Sequence, residues 1–229
     1  MKSRRLRVLE ATLWVAAVVL LSVYGWVYLD RSVYQSYQNW VFERELDRKP
    51  ASLMGFVLDK VRFGRTPASA GKGEKSDELA TFGPPAKPES PRLPDQAVVG
   101  RIEIPRIGVK GMILEGTSNA CLRRAIGHIE GTALPGQPGN IGLAGHRDTF
   151  FLGLKGIKKD DTIRIRTLDG TFTYKVESIR IVTPRDVGVL DPTPEPTLTL
   201  VTCYPFNFVG SAPDRYIVHA REIRPSQGS

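Results

Sequence analysis

The amino-acid sequence predicts a mainly β domain, folded as a closed barrel or as a sandwich. Many short apolar runs follow one another in its second half, and several of them alternate between apolar and polar residues. Turn-forming residues separate these runs, and helical patterns are sparse among them. Alternation with a period of two is typical of strands that bury one face, and many short strands around turns favour a barrel or a sandwich.

Seven runs are candidate strands. Apolar or alternating residues occupy 98–104, 112–114, 140–144, 162–166, 171–182, 197–202 and 215–221. Pro105 closes the first run, and the turn Leu168-Asp169-Gly170 joins the fourth run to the fifth as a hairpin. Between the second and third runs, Ser118 begins a predicted short helix that extends to Ile126.

The first 30 residues predict a basic cytoplasmic segment and a transmembrane anchor. Lys2, Arg4, Arg5 and Arg7 precede a stretch from Ala11 to Leu29 that carries no charge. A helix of that length, at about 1.5 Å per residue, matches the ~30 Å hydrocarbon core of a bilayer. The positive-inside rule then predicts a single-pass protein of the cytoplasmic membrane, with its N-terminus inside and the rest of the chain outside. A cleavable signal peptide is the alternative, but no A-x-A cleavage site follows the stretch.

Residues 31–97 predict a juxtamembrane helix followed by a linker. Tyr34, Tyr37 and Val41 recur at helical spacing. Such a stripe lies on the bilayer, covers part of the next domain, or belongs to a helix that merely continues out of the membrane; the last interpretation is favoured. A second apolar segment follows at 53–63, and residues 65–97 are rich in Pro, Gly, Ser, Lys and Glu, which favours an extended linker. A domain over 98–224 and a tail over 225–229 complete the chain.

Composition and charge exclude several classes of function. The chain of 229 residues has a net charge of +8, and four of its basic residues precede the first apolar stretch. The net positive charge is therefore partly due to the N-terminal basic residues that predict the membrane orientation of the chain. The sequence contains no zinc knuckle, RNA-binding aromatic signature or basic zipper helix, so no nucleic-acid partner is predicted. It has no glycine-rich phosphate loop, and its 3 His and 2 Cys are widely spaced, so neither a cofactor nor a metal is predicted.

The segment TLTLVTCYPF carries the strongest chemical signal. Its apolar run ends at Cys203, and a thiol at a strand end is held on a rigid support where a substrate can reach it. His146 follows a second apolar run, in NIGLAGHRDTFF, and Arg215 opens a third, in DRYIVHARE. A thiol nucleophile, a proton-transfer group and a permanent cation together suit acyl transfer. The positions of the three residues at strand ends are compatible with one cysteine acyl-transfer site, although Arg215 by itself is one basic residue among 32 Lys and Arg.

These three segments resemble the sortases, the cysteine transpeptidases of bacterial cell surfaces. Residues 199–203 match the family signature TLxTC at every fixed position. His146 follows small residues at a strand end, as the family's histidine does, and Arg215 opens a strand of the type R-x-I-V-x-A. The resemblance covers roughly residues 98–223. The segment CYPFNFVGSAPDRYIVHA is most similar to the class D-like sortases.

The resemblance implies a fold and a mechanism. The implied fold is a closed eight-stranded β-barrel with short helices. Cys203 is implied to form a thioester with a peptide carbonyl carbon, His146 to move protons, and Arg215 to stabilise the oxyanion or to hold the bound peptide. Strand parity puts Val201 on the same face as Cys203. Ala144 and Val201 are implied to line the groove for the substrate.

The resemblance also implies partners. They are exported proteins that bear a C-terminal LPxTG-like sorting signal, and an amine acceptor of peptidoglycan or of a pilin. Two other functions stay open: a cysteine endopeptidase of the same fold that uses water, and an anchored β-barrel that binds without catalysis. The intact Cys203, His146 and Arg215 favour an enzyme.

The other cysteine and the other histidines are predicted to be structural. Cys121 lies in the predicted helix, where a free cysteine usually behaves as a small core hydrophobe. A Cys121–Cys203 disulfide is the alternative in an oxidising compartment, but it would block the nucleophile. His128 and His219 are interpreted as structural or surface residues, although His219 shares strand parity with Arg215.

Overall fold

The computed structural model of the protein describes residues 4–47, 56, 93–208 and 210–223. Helix α1 extends over Arg4–Leu46 and helix α2 over Asn119–Arg124. The strands are β1 Val98–Ile104, β2 Val109–Glu115, β3 Ile126–His128, β4 Asn140–Ala144, β5 Thr162–Arg166, β6 Thr171–Val182, β7 Thr197–Tyr204 and β8 Asp214–Glu222. Short 3-10 helices occupy Pro105–Ile107, Leu152–Gly156 and Val187–Leu190.

The eight strands close into a barrel. Their order is β1-β2-β3-β4-β7-β8-β6-β5, and β5 pairs back to β1. The pairs β2–β3 and β4–β7 are parallel, and the other pairs are antiparallel. The predicted mainly β class and the closed eight-stranded barrel are confirmed. The parallel pair β4–β7 brings the carboxyl ends of two strands that are distant in sequence to one edge of the barrel.

One apolar core fills the barrel, because alternate residues of each strand point inward. Strand β1 shows this pattern: Ile102 and Ile104 are fully buried, while the residues between and before them are partly exposed. Further inward side chains come from most of the other strands and include Ile113, Ile126, Ile141, Leu143, Ile163, Tyr174, Leu200 and Val218. Since apolar side chains pack into one core inside this barrel, a large ligand is met at an edge or on the outer face.

Local hydrogen bonds explain where helix α2 and the β5–β6 hairpin form. Ser118 Oγ accepts a hydrogen bond from Cys121 N at 3.2 Å, so Ser118 is the N-cap of α2. In the hairpin, Thr167 N donates to the Gly170 carbonyl at 2.8 Å. Gly170 has a φ of 153°, which a side chain would strain. Both elements match the prediction, although α2 ends at Arg124 and not at Ile126.

The sequence pattern does not predict strand β3, and the β2 strand that it predicts is shorter than the observed one. It places Ile126 at the end of a helix, whereas the structure begins β3 at this residue. β3 has three residues and lies between β2 and β4. A segment that short shows no periodicity of its own, so its extended conformation depends on the two strands that it bridges. β2 begins at Val109, before the predicted start at Met112.

The predicted transmembrane helix over Ala11–Leu29 is not supported. This stretch is part of α1, which continues without a break to Leu46. Across the residues that the structure describes, no helix has an apolar stretch long enough to cross a bilayer. The predictions for residues 53–63, for most of 65–97 and for the tail 225–229 fall outside the described residues, apart from Phe56 and 93–97.

The second half of α1 packs against the barrel and does not simply continue away from it. Gln35 makes two contacts: its Nε2 donates to the Arg124 carbonyl at 2.5 Å, and its Oε1 accepts from Met112 N at 3.1 Å. β3 first pairs with β2 at Ile113, which leaves Met112 N without a strand partner on that side. One side chain thus satisfies a strand N–H and the last carbonyl of α2.

Apolar and charged contacts reinforce this docking. Phe42 is 1% exposed, and Arg101 Nη1 lies 2.7 Å from Glu43 Oε1. Tyr34 packs against a small buried cluster made of Leu114, Cys121 and Ala125. In the closed strand order, β1 and β2 lie across the barrel from β7 and β8. Helix α1 therefore covers the side opposite the predicted catalytic residues.

We expect Gln35→Leu to lower the free energy of unfolding by about 1–3 kcal/mol, because it leaves two part-buried backbone groups without partners. Glu45→Ala, an exposed change on the same helix, is the matched control and should stay within about 0.5 kcal/mol. Urea denaturation of the full chain measures both. Equal effects of the two changes would contradict the docking role of Gln35.

Removal of residues 1–92 should leave a folded barrel of lower stability. The burial of Phe42 alone accounts for about 1.5–3 kcal/mol. The cut belongs before Leu93, because the Ala97 carbonyl accepts a hydrogen bond from Glu115 N at 2.9 Å and so extends the β1–β2 pairing. Thermal unfolding of the truncated and full chains is the measurement. A truncated chain that does not fold would show that α1 is an obligatory part of the domain.

Candidate active site

Strands β7 and β8 place Cys203 and Arg215 side by side. The two residues are directly opposite each other in the antiparallel register. Residues paired in this way have Cβ atoms about 4.5–5.5 Å apart and project from the same face. Both are partly exposed, whereas Thr202, the residue before the thiol, is 2% exposed. Cys203 and Arg215 therefore lie on the outer face, near the edge of the barrel.

His146 reaches the same edge from strand β4. Gly145 N donates to the Val201 carbonyl at 3.1 Å, and Thr202 Oγ1 donates to the Gly145 carbonyl at 2.7 Å. These bonds continue the parallel β4–β7 register past the end of β4. By the same register, His146 stands level with Cys203. The structure thus brings together the three residues that the sequence predicts as catalytic.

The turn after β4 depends on the absence of a side chain at Gly145. A Cβ there would lie 2.8 Å from the ring of Phe151, which is fully buried. The His146 carbonyl accepts hydrogen bonds from the Thr149 and Phe151 amides at 3.4 and 3.1 Å. The chain therefore passes close over the Phe151 ring and turns at once, which holds His146 at the edge.

The predicted groove residues Ala144 and Val201 are neighbours on adjacent strands. They are paired in the β4–β7 register, and both are partly exposed. Val201 comes two residues before Cys203, so it shares the outer face with the thiol. The structure therefore places two small apolar side chains near Cys203, on the outer face of the barrel.

Thr199 has a role that the sequence analysis missed. It is fully buried; its hydroxyl donates to Asn140 Oδ1 at 2.7 Å and lies 3.0 Å from His219 Nδ1. Asn140 Nδ2 donates to the carbonyls of Val189 and Asp191 at 3.1 and 3.2 Å. This network holds the β6–β7 connection against the barrel. One feature of the sequence could have revealed it: residue 199 lies four positions before Cys203 on the same strand, so alternation places both on the outer face.

His219 lies on the same face of β8 as Arg215 but belongs to this network. Burial lowers the pKa of His219, and the nearby Arg180 guanidinium lowers it further, against an opposing effect of Glu177. The ring is therefore neutral at pH 7. In the register it lies opposite Thr199 and not opposite Cys203, which agrees with the structural role predicted for it.

His128 is also structural. It is 2% exposed, and its Nδ1 lies 2.7 Å from Glu115 Oε2 while its Nε2 lies 2.9 Å from the Ala133 carbonyl. Both ring nitrogens therefore have hydrogen-bond partners, one on β2 and one in the connection that follows β3. Among the described residues, no three His, Cys, Asp or Glu side chains are grouped closely enough to ligate a metal ion.

The two cysteines have opposite environments. Cys121 is fully buried, and this burial raises its pKa to about 11, with the carboxylates of Asp95 and Glu115 adding to the rise. Cys203 is only partly buried. Both thiols are free, so the alternative Cys121–Cys203 disulfide is not formed in this structure. The core role predicted for Cys121 is confirmed.

We expect iodoacetamide at neutral pH to modify Cys203 alone in the native protein, because only a thiolate reacts and Cys121 keeps its proton up to about pH 11. Cys121→Ala should retain full modification with a stability loss of about 1 kcal/mol. Mass spectrometry locates the label; a native label on Cys121 would refute the assignment.

The pKa of Cys121 rises above its ordinary 9.0 on folding. The stability linked to this thiol is therefore complete below pH 9.0 and declines as pH rises toward 11.

Comparison with known proteins agrees with this site. Residues 102–223, just over half of the chain, match the sortase domain family. Sortase D of Bacillus subtilis (strain 168) is 38% identical over 125 residues, which cover 54% of this chain and 63% of the relative. Sortase A of Staphylococcus aureus (strain NCTC 8325 / PS 47) is 37% identical over 131 residues, covering 53% and 62%. The chain thus spans somewhat less than two thirds of these relatives.

Solved structures show the same similarity. A Clostridium perfringens Sortase D5 transpeptidase is 36% identical, with a TM-score of 0.53, over 58% of this chain and 83% of that one. Sortase A from Corynebacterium diphtheriae is 32% identical, with a TM-score of 0.54, over 59% and 65%. The matches to class D proteins are compatible with the class D-like resemblance. The barrel, the residues at its edge and these matches together show that the chain belongs to the sortase family.

Proposed function

We propose that the protein is a cysteine transpeptidase that cleaves an LPxTG-like C-terminal sorting signal of exported proteins and transfers the acyl group to an amine. The acceptor amine belongs to peptidoglycan or to a pilin lysine. The observation that carries this proposal is the direct opposition of Cys203 and Arg215, with His146 two residues past the end of the adjoining strand β4. The similarity to a protein described as a Sortase D5 transpeptidase supports it.

The first half of the reaction forms an acyl-enzyme. The Cys203 thiolate attacks the carbonyl carbon of the scissile peptide bond, and the carbonyl oxygen becomes an oxyanion. As the C–N bond breaks, His146 donates a proton to the departing amine, which is a poor leaving group without it. The product is a thioester between Cys203 and the upstream part of the substrate. His146 is left neutral.

The second half transfers the acyl group. The neutral His146 takes a proton from the incoming amine, whose nitrogen attacks the thioester carbonyl carbon. The C–S bond breaks, the new amide forms, and Cys203 leaves as the thiolate with which the cycle began. The alternative endopeptidase differs only here, because water takes the place of the amine.

Arg215 is oriented before a substrate arrives. Its Nη1 donates to the carbonyls of Ala212 and Asp214 at 3.3 and 2.9 Å. A guanidinium carries five N–H donors in a planar fork, so the donors on Nε and Nη2 are not used by these two bonds. They are suited to the oxyanion or to a carbonyl of the bound peptide. Donors held in place before the charge develops stabilise a transition state without reorganisation.

The proposed place of action is outside the cytoplasmic membrane, because sorting signals on exported proteins and envelope amines are met there. Protease accessibility of the catalytic domain in intact and in opened cells is the measurement. A domain that is cleaved only after the cells are opened would contradict the proposal.

The test of the function is capture of the acyl-enzyme. Wild-type protein is incubated with a library of LPxTG-like peptides, and Cys203→Ala serves as the control. We expect a mass increase on Cys203 that hydroxylamine releases, followed by peptide–amine products when an amine is added. Release to water alone would identify an endopeptidase, and the absence of any thioester would leave only a binding module.

Substitutions of Arg215 separate charge from geometry. Arg215→Lys keeps the charge but loses the planar fork, and we expect the acylation rate to fall on the order of 100-fold, as when one oxyanion donor is removed. Arg123→Lys, on the exposed surface of α2, is the control and should acylate normally. His146→Ala should also acylate very slowly. Near-normal acylation by Arg215→Ala would exclude a catalytic role for this residue.

A further inference from the structure

Arg147, the residue after His146, contacts the connection between β7 and β8. Its Nη2 donates to the carbonyls of Phe208 and Gly210 at 2.6 and 3.0 Å, and its guanidinium carbon lies 5.9 Å from the centre of the Phe208 ring. The connection, residues 205–213, links Cys203 to Arg215. Arg147 therefore joins the segment that carries His146 to the loop that links the other two residues of the site.

Two guanidinium groups bind carbonyls of this connection and of Asp214, the first residue of β8. Arg147 holds those of residues 208 and 210, while Arg215 holds those of residues 212 and 214. The start of the connection is anchored differently, because the Phe206 ring lies 5.2 Å from that of Tyr216 and 6.1 Å from that of Tyr204. In the middle of the connection, Phe208 is 44% exposed, and Arg147 binds the carbonyls of residues 208 and 210. These hydrogen bonds tie the middle of the connection to the His146 segment.

A further donor of Arg147 faces the protein interior. Its Nη1 is buried and has no hydrogen-bond partner among the described residues. A buried donor on a charged group that lacks a partner costs free energy.

We propose that Arg147 is a positioning residue that latches the β7–β8 connection to the His146 segment. This role depends on the proposed transpeptidation, to which it adds a positioning residue. His146 must reach the leaving nitrogen of the carbonyl that Cys203 attacks, and Arg215 must meet the oxygen of the same carbonyl. These groups come from two separate parts of the chain, and the latch fixes one part relative to the other. A misplacement of about 1 Å in such a site costs on the order of 100-fold in rate.

The experiment compares Arg147→Met, which keeps most of the length but has no donors, with Arg147→Lys, which keeps the cation and three donors. Arg123→Met is the control on exposed surface. Acylation of a sorting-signal peptide is measured at saturation, divided by the amount of Cys203 that iodoacetamide labels in the native protein. We expect Arg147→Met to lose about 10–100-fold in this rate with little change in KM. Arg147→Lys should retain more of the rate than Arg147→Met.

A pH profile of acylation separates positioning from the loss of a charge beside His146. The latch predicts a lower plateau for Arg147→Met. A profile that is shifted along the pH axis with its plateau unchanged would overturn it, and so would a rate per labelled Cys203 equal to that of wild type. Arg147→Lys no better than Arg147→Met would also overturn it, because the hydrogen bonds to residues 208 and 210 would then be irrelevant.

Hydrogen exchange tests the latch without a substrate. Peptides that cover 205–213 should exchange several-fold faster in Arg147→Met than in wild type or Arg123→Met, because the bonds that hold the middle of the connection are gone. Unchanged exchange would refute the latch even if the wild-type protein acylated normally. Faster exchange in a protein whose wild type forms no thioester would refute the proposed function and leave the latch as a structural contact.

Discussion

The whole site depends on the parallel pairing of β4 with β7. Gly145 N on the Val201 carbonyl and Thr202 Oγ1 on the Gly145 carbonyl set its register at the catalytic edge. Since side chains alternate along a strand, a slip of one residue would turn Cys203 into the barrel and Thr202 out of it. His146 would then stand beside the wrong residue. The register is protected because the inner residues of both strands are part of the packed core.

The other elements keep this edge in place and leave it open. The antiparallel β7–β8 pair adds Arg215 in a position that the strand register alone decides. The hydrogen bonds of Thr199 and Asn140 hold the β6–β7 connection against the barrel beneath the site. Helix α1 packs on the opposite side. Core packing and the candidate site are thus separated: the interior is filled by apolar side chains, while the site residues lie on the outer face of β7 and β8 and in the turn after β4.

The sequence was informative where local pattern determines structure. Alternating strands predict a barrel or a sandwich, and Cys203 and His146 stand out because each lies at the end of an apolar run. The barrel and Arg215 were predicted through the resemblance to the sortases. The sequence was uninformative where the cause is a contact between distant residues. Strand β3 is extended only because β2 and β4 flank it, and Gln35 docks α1 through backbone groups far away in the chain. Arg147 is one surface arginine among 32 Lys and Arg residues until its loop partners are known. Hydropathy alone suggested an anchor over residues 11–29, which the helix in the structure does not support.

The continuity of α1 has a mechanical consequence. At about 1.5 Å per residue, the part of the helix before Asp30 is on the order of 40 Å long and extends from the part that packs against the barrel. A helix that packs against the barrel at one end is a rigid extension of the domain and not a flexible tether. Whatever holds the first turns of α1 therefore also sets the direction in which Cys203 faces, away from the docked side of the barrel. The distance between Cys203 and the first turns of α1 is therefore set by the length of the helix and by the way its second half packs on the barrel.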